Sequence, residues 1–217
     1  MYHYIEDKTF LKRMKNLCSD IVNQLVQRIN NDTFMRVEAH LVGSGAKNLI
    51  TQNGNEPIDL DYNLCILKVF NINPNDGKTI KNHIQKHFNI ILQNNGGEDC
   101  QDSTSALSTE LRHFTKENQT EFKIDLAIIR KNRCSWERLI HRKTGIAALD
   151  QWYWNEAPNS IEIADKAKDI KEENLWLEVR ELYLDKKNMY LHRLDKNNHP
   201  SFNVYIETIN EVYNKYF

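Results

Sequence analysis

The stretch that decides the fold is Leu41–Leu67, LVGSGAKNLITQNGNEPIDLDYNLCIL. From Ile58 onward apolar and polar residues alternate, which predicts a strand with one buried face, because successive side chains of a strand point to opposite faces. The polar face carries Asp59 and Asp61, about 7 Å apart along the strand. Asp is a poor strand former, so its place in the middle of a well-backed strand indicates a functional site.

A glycine-rich turn precedes this strand. Gly43, Ser44 and Gly45 follow a predicted strand at residues 35–42 and lead into a short helical piece. Such a turn exposes backbone N–H groups at a helix start, where anions bind, and the Ser44 hydroxyl can add a hydrogen bond to a phosphate oxygen. An ordinary strand-to-helix turn has the same composition, so the motif gains its meaning from its position one strand before the two acids.

A third carboxylate, Asp125, lies in a second alternating segment, FKIDLAII. If the two strands are neighbours, three carboxylates share one site, and Mg²⁺ suits them because it prefers hard oxygen ligands and commonly binds carboxylates together with substrate phosphates. Two such ions can bind the attacking and leaving oxygens of an in-line displacement. Asp125 would also be placed to accept the proton of an attacking hydroxyl. The alternative is a solvated strand face without a ligand.

The combination of these motifs resembles the DNA polymerase β-type nucleotidyltransferase superfamily. Its pattern of a glycine-serine turn, an acid-hydrophobic-acid strand and a separate strand acid matches Gly43-Ser44, Asp59-Leu60-Asp61 and Asp125, within residues 35–130. The resemblance implies that Asp59, Asp61 and Asp125 are catalytic and ligate Mg²⁺, with two ions expected. It implies transfer of a nucleoside monophosphate from a nucleoside triphosphate to an acceptor hydroxyl, with release of pyrophosphate.

The resemblance also implies a set of nucleotide contacts. We expect Gly43 and Ser44 to hold the triphosphate, with Gly45 and Lys47 beside them and Lys187 reaching in from the C-terminal helices. The acceptor stays open: a small molecule, another nucleotide as in second-messenger synthesis, an RNA end or a protein side chain. One departure from the pattern is the long spacer between Ser44 and Asp59, which a polar loop at residues 52–55 can absorb.

The rest of the chain predicts an α+β fold in two parts. Helical stripes at residues 7–31 and 80–94 flank the strands, and residues 162–195 and 202–213 show helical periodicity only. We therefore expect a nucleotidyltransferase domain at residues 1–145, with a small mixed, palm-like β-sheet and helices on one side. A helical domain at residues 146–217 follows it.

Composition places few restrictions on function. Among 217 residues the formal net charge is −1, so no global basic field favours bulk nucleic-acid binding. Four widely spaced cysteines without a Cys/His cluster argue against a disulfide framework or a zinc site. The N-terminus lacks the order of a signal peptide, and no apolar run reaches the roughly 20 residues of a membrane span. We expect a cytoplasmic protein without membrane contact.

Several other features have two readings. A basic cluster follows the second strand and either rims the cleft toward phosphates or RNA or forms a solvated face: Arg130, Lys131, Arg133, Arg138, Arg142 and Lys143. The aromatic run Trp152–Trp154 is expected to pack between the two domains. His113 and His141 are interpreted as surface or packing residues.

Two functions compete with nucleotidyl transfer. One is a non-catalytic nucleotide-binding or antitoxin-like module of the same fold, against which the intact set of three acids argues. The other is a metal-dependent phosphohydrolase that uses the same acids. We consider it the weaker, because such sites usually add histidines at ligand spacing and the sequence pattern indicates none.

Overall fold

The structure is a computed structural model that describes residues 1–71, 73–133, 135–157, 161–192 and 200–217, with only the backbone of His192. The strands predicted at residues 35–42 and 58–69 and the helices predicted at residues 7–31 and 80–94 are present, whereas the strands at residues 2–4, 51–53 and 135–142 were not predicted. In chain order the elements are β1 (Tyr2–Tyr4), α1 (Lys8–Asn30), β2 (Met35–Leu41), α2 (Gly43–Lys47), β3 (Thr51–Asn53), β4 (Ile58–Val69), α3 (Gly77–Asn94), β5 (Gln101–Asp102), β6 (Leu107–Ser108), β7 (Phe122–Asn132), β8 (Ser135–Arg142), β9 (Gln151–Glu156), α4 (Ile161–Glu172), α5 (Trp176–His192) and α6 (Ser201–Tyr216).

The chain forms two compact units. The sheet unit consists of Asp7–Lys47 and Pro57–Pro158, and the helical unit consists of Met1–Glu6, Asn48–Glu56 and Asn159–Phe217. Two short segments from the first quarter of the chain thus belong with the C-terminal helices. A domain boundary after residue 145 stays a prediction.

The sheet unit is built on a mixed sheet in the order β2-β4-β7-β6-β5, with β8 paired to β7 and β9 paired to β8. Strands β4 and β7 run parallel over residues 58–66 and 122–130, and the other pairs are antiparallel. The predicted α+β fold with a mixed sheet is confirmed. The parallel central pair matters for function because it sets the two acid-bearing strands in a fixed register.

Helices α1 and α3 supply the core of the sheet unit. Each begins at an aspartate cap: Asp7 accepts a hydrogen bond from the Phe10 N–H at 2.9 Å, and Asp76 accepts one from the Thr79 N–H at 3.0 Å. Their buried faces repeat at helical spacing: Met14, Ile21, Leu25, Ile80, Ile84 and Phe88 are each 0% exposed. The apolar faces of the strands, with Leu60 and Leu64 also fully buried, complete this core.

The sheet differs from the predicted one in its later strands. The sequence also predicts a hairpin of residues 104–114 and 121–130, and its first arm is reduced to the two residues of β6 and an isolated bridge between Arg112 and Phe122. Residues 151–156, expected to start the helical part, form β9 against β8. Over six residues, periodicity does not distinguish a strand from a helix. Pairing with β8 therefore determines that these residues form a strand.

The aromatic run in β9 makes contacts within the sheet unit, and its packing between domains stays a prediction. The Trp152 ring stacks on His141 at 4.1 Å, and the Arg130 guanidinium lies over Trp154 at 4.1 Å. His141 is a packing residue, as expected, and its two ring nitrogens contact Asp102 at 2.6 Å and Asp150 at 3.2 Å. His113 is exposed, as expected.

The helical unit has a core of its own. Helices α4, α5 and α6 bury Ile170, Val179, Ile209 and Val212, each at most 1% exposed. Strands β1 and β3 pair with each other in this unit. The Tyr4 hydroxyl donates to the Arg180 carbonyl at 2.7 Å, which ties β1 to α5.

Three cysteines, Cys18, Cys65 and Cys100, are free and buried, and the fourth, Cys134, lies outside the described residues. Burial raises the pKa of the Cys18 thiol to about 12. Among the described helices none combines the length and the apolar character that crossing a membrane requires.

Candidate functional site

The parallel pairing of β4 and β7 brings the three aspartates together. Asp61 lies directly opposite Asp125, and Asp59 lies opposite Lys123. All four side chains are on one face of the sheet, because residues two apart on a strand share a face and directly opposite residues do as well. The predicted proximity of the three acids is therefore present, while their catalytic and metal-binding roles stay predictions.

Lys123 is a member of this site that the sequence reading missed. Its ammonium nitrogen lies 3.6 Å from Oδ1 of Asp59 and 3.4 Å from Oδ2 of Asp125. The signal was available, since Lys123 is two residues before Asp125 in FKIDLAII and must share its face. A resident cation between two of the acids means that the site attracts positive charge.

The pKa values of two of the acids are raised, so their charged forms are disfavoured in the folded protein. Burial, followed by the charges of Asp125 and Asp59, raises the pKa of Asp61 from 3.8 to about 6. Burial also raises the pKa of Asp59, with Lys123 opposing and Asp125 adding to the rise. Asp61 is nevertheless an exposed residue, so solvent screens a large part of this effect. Three carboxylates with one ammonium leave an excess of negative charge.

These residues fit Mg²⁺. Oδ1 of Asp125 is buried and has no hydrogen-bond partner among the described residues, so a carboxylate oxygen is available to a ligand. The donors are carboxylate oxygens on two adjacent strands, the hard ligands that Mg²⁺ prefers. A divalent cation would also relieve the repulsion from Asp125 and Asp59 that, after burial, raises the pKa of Asp61.

The glycine-serine turn contacts the acids directly. Gly43 has a φ of +60°, and a Cβ built on it would lie 2.7 Å from Oδ2 of Asp61. The Val42 N–H donates to the Asp61 carbonyl at 2.9 Å, which holds the turn against β4. Only glycine satisfies both the backbone angle and the space. Ser44 follows in the first turn of α2.

Gly45 and Lys47 have structural contacts beside their predicted nucleotide contacts. A Cβ on Gly45 would meet the side chains of Leu41 and Leu60 at 3.0 and 3.1 Å, so the missing side chain serves packing. The Lys15 ammonium donates to the Gly45 carbonyl at 2.7 Å, and that of Lys47 donates to the Gly43 carbonyl at 3.4 Å.

Lys187 belongs to the helical unit. Its ammonium donates to Oγ1 of Thr51 at 3.2 Å and lies 3.9 Å from the centre of the Tyr2 ring. Burial lowers the pKa of Lys187 to about 8. Its contact with a nucleotide stays a prediction.

The basic cluster is not a single surface. Arg130 pairs with Glu137 at 2.7 Å and is used within the fold, whereas Lys131 and Arg133 are exposed. Arg138 is opposite Ile129 on β7 and so shares the face of Asp125. Its Nε is buried without a hydrogen-bond partner among the described residues, and its charge opposes the rise in the pKa of Asp61. Arg138 is therefore the cluster member associated with the acids.

Histidines at ligand spacing do occur, contrary to the sequence reading. His83 and His87 are four residues apart on α3, and both rings lie beside Asp32. Burial, and next the charge of a neighbouring residue, lowers the pKa of each: His87 acts on His83 and Arg28 acts on His87. The HxxxH spacing is present in the sequence, where His87 was interpreted as part of the apolar stripe of α3. These histidines do not belong to the carboxylate face of β4 and β7.

Comparisons with known proteins give a fold but no sequence relative. Neither a protein-family model nor a curated protein matches the chain. The solved structure of CdnC from Escherichia coli MS115-1 with ATP matches at a TM-score of 0.59 and 12% identity, covering 95% of this chain and 61% of CdnC. The chain thus spans less than two thirds of the length of that neighbour.

Two further structures agree with this match. Vibrio cholerae DncV, a cyclic AMP-GMP synthase and prokaryotic cGAS homolog, matches at a TM-score of 0.59 and 9% identity over 95% of this chain and 67% of DncV. Elizabethkingia meningoseptica CdnE, a cyclic dinucleotide synthase with GTP and Apcpp, matches at a TM-score of 0.55 and 11% identity. The match covers 92% of this chain and 70% of CdnE. These neighbours are CD-NTases, members of the polymerase β nucleotidyltransferase superfamily. At such identities the likeness concerns the fold, and the fold of this chain is the nucleotidyltransferase fold that they share.

Proposed function

We propose that the chain is a Mg²⁺-dependent nucleotidyltransferase that transfers a nucleoside monophosphate from a nucleoside triphosphate to an acceptor hydroxyl and releases pyrophosphate. The observation that carries the proposal is the register of β4 and β7, which sets Asp61 opposite Asp125 with Asp59 on the same face. The close approach of Gly43 to Asp61 adds a candidate phosphate-binding turn at the same point.

Each acid has a proposed role. Asp59, Asp61 and Asp125 would hold Mg²⁺, which when bound supplies positive charge to the triphosphate. Asp125, with its buried unpartnered oxygen, would accept the proton of the attacking hydroxyl. Backbone N–H groups at Gly43 and Ser44 would orient the triphosphate. Arg138 would counter the charge of the leaving pyrophosphate from the same face of the sheet.

We propose ATP or GTP as the donor and a second nucleotide as the acceptor. The support comes from two fold neighbours: CdnC was solved with ATP, and CdnE, a cyclic dinucleotide synthase, was solved with GTP and Apcpp. A nucleotide offers the free sugar hydroxyl that the reaction needs. A small molecule, an RNA end and a protein side chain are the other acceptors compatible with the same chemistry.

A product assay tests the proposal. The protein is incubated with each of the four α-labelled nucleoside triphosphates, singly and in pairs, with Mg²⁺ or Mn²⁺. Phosphatase-resistant products are then separated and identified by mass spectrometry. We expect a labelled, metal-dependent product that Asp61→Asn and Asp59→Asn abolish. Asp20→Asn, which changes an exposed acid of α1, should leave product formation unchanged.

The alternative is a non-catalytic nucleotide-binding module, and one observation favours it. Lys123 already lies between Asp59 and Asp125, where a metal-free site would need a positive charge. The two functions separate in a thermal-shift panel of the four nucleotides with and without Mg²⁺. Stabilisation by a nucleotide that needs neither Mg²⁺ nor Asp61, together with no product in the assay, would favour the binding module.

A further inference from the structure

A second cluster of ligand atoms lies away from the sheet face that carries the acids. His83 and His87 are separated by one turn of α3 and so project from the same side of the helix. Asp32, just after the end of α1, faces both rings. Two histidines at this helical spacing with a nearby carboxylate form a common arrangement for binding zinc.

The distances in this cluster match those of a tetrahedral metal site. Oδ2 of Asp32 lies 3.4 Å from Nε2 of His83 and 3.2 Å from Nε2 of His87. In a tetrahedral zinc site with bonds of about 2.0–2.2 Å, ligand atoms lie about 3.3–3.6 Å apart. Asp32, His83 and His87 each offer one ligand atom, and these three atoms lie within 4.8 Å of one another. A small shift of the side chains would therefore allow all three to reach one ion.

The ligands are held in place from outside the cluster. The Phe34 N–H donates to Oδ1 of Asp32 at 3.1 Å, which leaves Oδ2 directed at the histidines. The Phe34 ring packs on His83 with ring centres 4.7 Å apart, and the two histidine rings are 4.5 Å apart. Nε2 of His83 is buried and makes no hydrogen bond within the described part of the chain. A buried ring nitrogen without a hydrogen bond is a group that a ligand would satisfy.

From this geometry we propose that Asp32, His83 and His87 bind a zinc-class divalent transition-metal ion. Imidazole nitrogens select such an ion over Mg²⁺, whose preferred ligands are oxygens. Three protein ligands leave a fourth position open, and the side chains are 13–20% exposed, so the ion can enter and an outside ligand can complete the site. The ion would tie the segment before β2 to α3.

Arg28 controls this site. Its Nε donates to Nδ1 of His87 at 3.1 Å. A metal on Nε2 needs the proton of a neutral imidazole on Nδ1, so the guanidinium must turn away when the ion binds. Arg28 and Lys86 are also the positive charges that act on these histidines, and they oppose the ion by Coulomb repulsion. Arg28→Gln should therefore bind the ion more tightly than the wild type.

The experiment measures metal affinity directly. Tag-free protein is stripped with a chelator and titrated with Zn²⁺ against a chromophoric competitor, and Co²⁺ is added separately to record the visible absorption of a tetrahedral site. His87→Gln and Asp32→Asn should weaken binding at least about 10–100-fold, the loss that follows from removing even an outer-shell partner. Arg28→Gln should strengthen it, and the exposed His113→Gln should leave it unchanged.

The outcomes separate this site from the acids on β4 and β7. Zinc binding that Asp61→Asn leaves intact and His87→Gln removes supports the site. No tetrahedral Co²⁺ spectrum in the wild type, or affinity unaffected by His87→Gln and Asp32→Asn, overturns it. If circular dichroism shows that one of these variants is unfolded, Arg28→Gln provides the test. Zinc affinity equal to that of the wild type in Arg28→Gln would then contradict the proposal. None of these readouts depends on nucleotide transfer.

Discussion

Replacing Asp61 with Asn should stabilise the metal-free protein while abolishing activity. Burial and the charges of Asp125 and Asp59 raise the pKa of Asp61 from 3.8 to about 6. The difference corresponds to about 3 kcal/mol at roughly 1.4 kcal/mol per pH unit. Because Asp61 is partly open to solvent, screening reduces this value, and we expect a gain of about 1–1.5 kcal/mol in the free energy of unfolding.

The gain in stability of Asp61→Asn over the wild type should increase with pH. An acid whose pKa is higher in the folded state contributes stability that is complete below its unfolded pKa and is lost as the pH rises through the folded value. Wild-type protein should therefore lose this stability between about pH 4 and about pH 6, whereas Asp61→Asn should not. The two proteins should be similar at about pH 4, with the difference greatest above about pH 6.

Urea unfolding in the presence of a chelator measures the effect. Trp136, Trp152 and Trp154 all lie in the sheet unit, so their fluorescence reports on the unit that contains Asp61. Adding Mg²⁺ should stabilise the wild type and have little effect on the variant, which reverses the order. Asp20→Asn is the matched control. An Asp61→Asn protein that is no more stable than the wild type at pH 7 without metal would refute the reasoning.

Three further changes follow from the contacts. Lys123→Met should bind Mg²⁺ at least about 10-fold more tightly than the wild type, as measured by calorimetry. A unit charge at about 4 Å contributes up to about 4 kcal/mol at an effective dielectric constant of about 20. Equal affinity of the two proteins would contradict a competing role for Lys123. Gly43→Ala should lose about 1–3 kcal/mol of stability and show weaker nucleotide-induced thermal shifts. The reason is that position 43 has a φ of +60° and an added Cβ would clash with Asp61. Stability equal to that of the wild type would show that the turn adapts. Ile209→Ala should cost about 2–5 kcal/mol in the helical unit, measured by urea unfolding followed by far-UV circular dichroism. A loss below about 1 kcal/mol would mean that the cavity collapses.

The candidate carboxylate site was largely predictable because alternation along a strand fixes which residues share a face. That rule placed Asp59 and Asp61 together and identified Asp125 as a separate strand acid. The same rule places Lys123, two residues from Asp125, on this face, but Lys123 was not predicted because a metal-ligand pattern contains only the acids. The bounds of β4, Ile58–Val69, agree with the predicted strand, because the apolar residues from Ile58 to Ile66 recur at every second position, which is a strong local signal.

Other features had no local signal. Strands β8 and β9 are defined by pairing with β7 and with each other, and residues 151–156 were assigned to the helical part. The joining of Met1–Glu6 and Asn48–Glu56 to the C-terminal helices likewise depends on contacts between residues far apart in sequence. The HxxxH pair on α3 was visible, but its carboxylate partner Asp32 lies in a different segment.

The sequence alone determined helices α1 and α3, strands β2, β4 and β7, the faces of the central strands and the chemistry of the three acids. These depend on interactions between residues a few positions apart. The tertiary structure decided that Asp61 faces Asp125, that Lys123 lies between two acids and that Asp32 meets two histidines. Each of these contacts depends on strand register or on helix packing. Neighbouring residues along the chain do not determine register or packing, whereas burial of the core does.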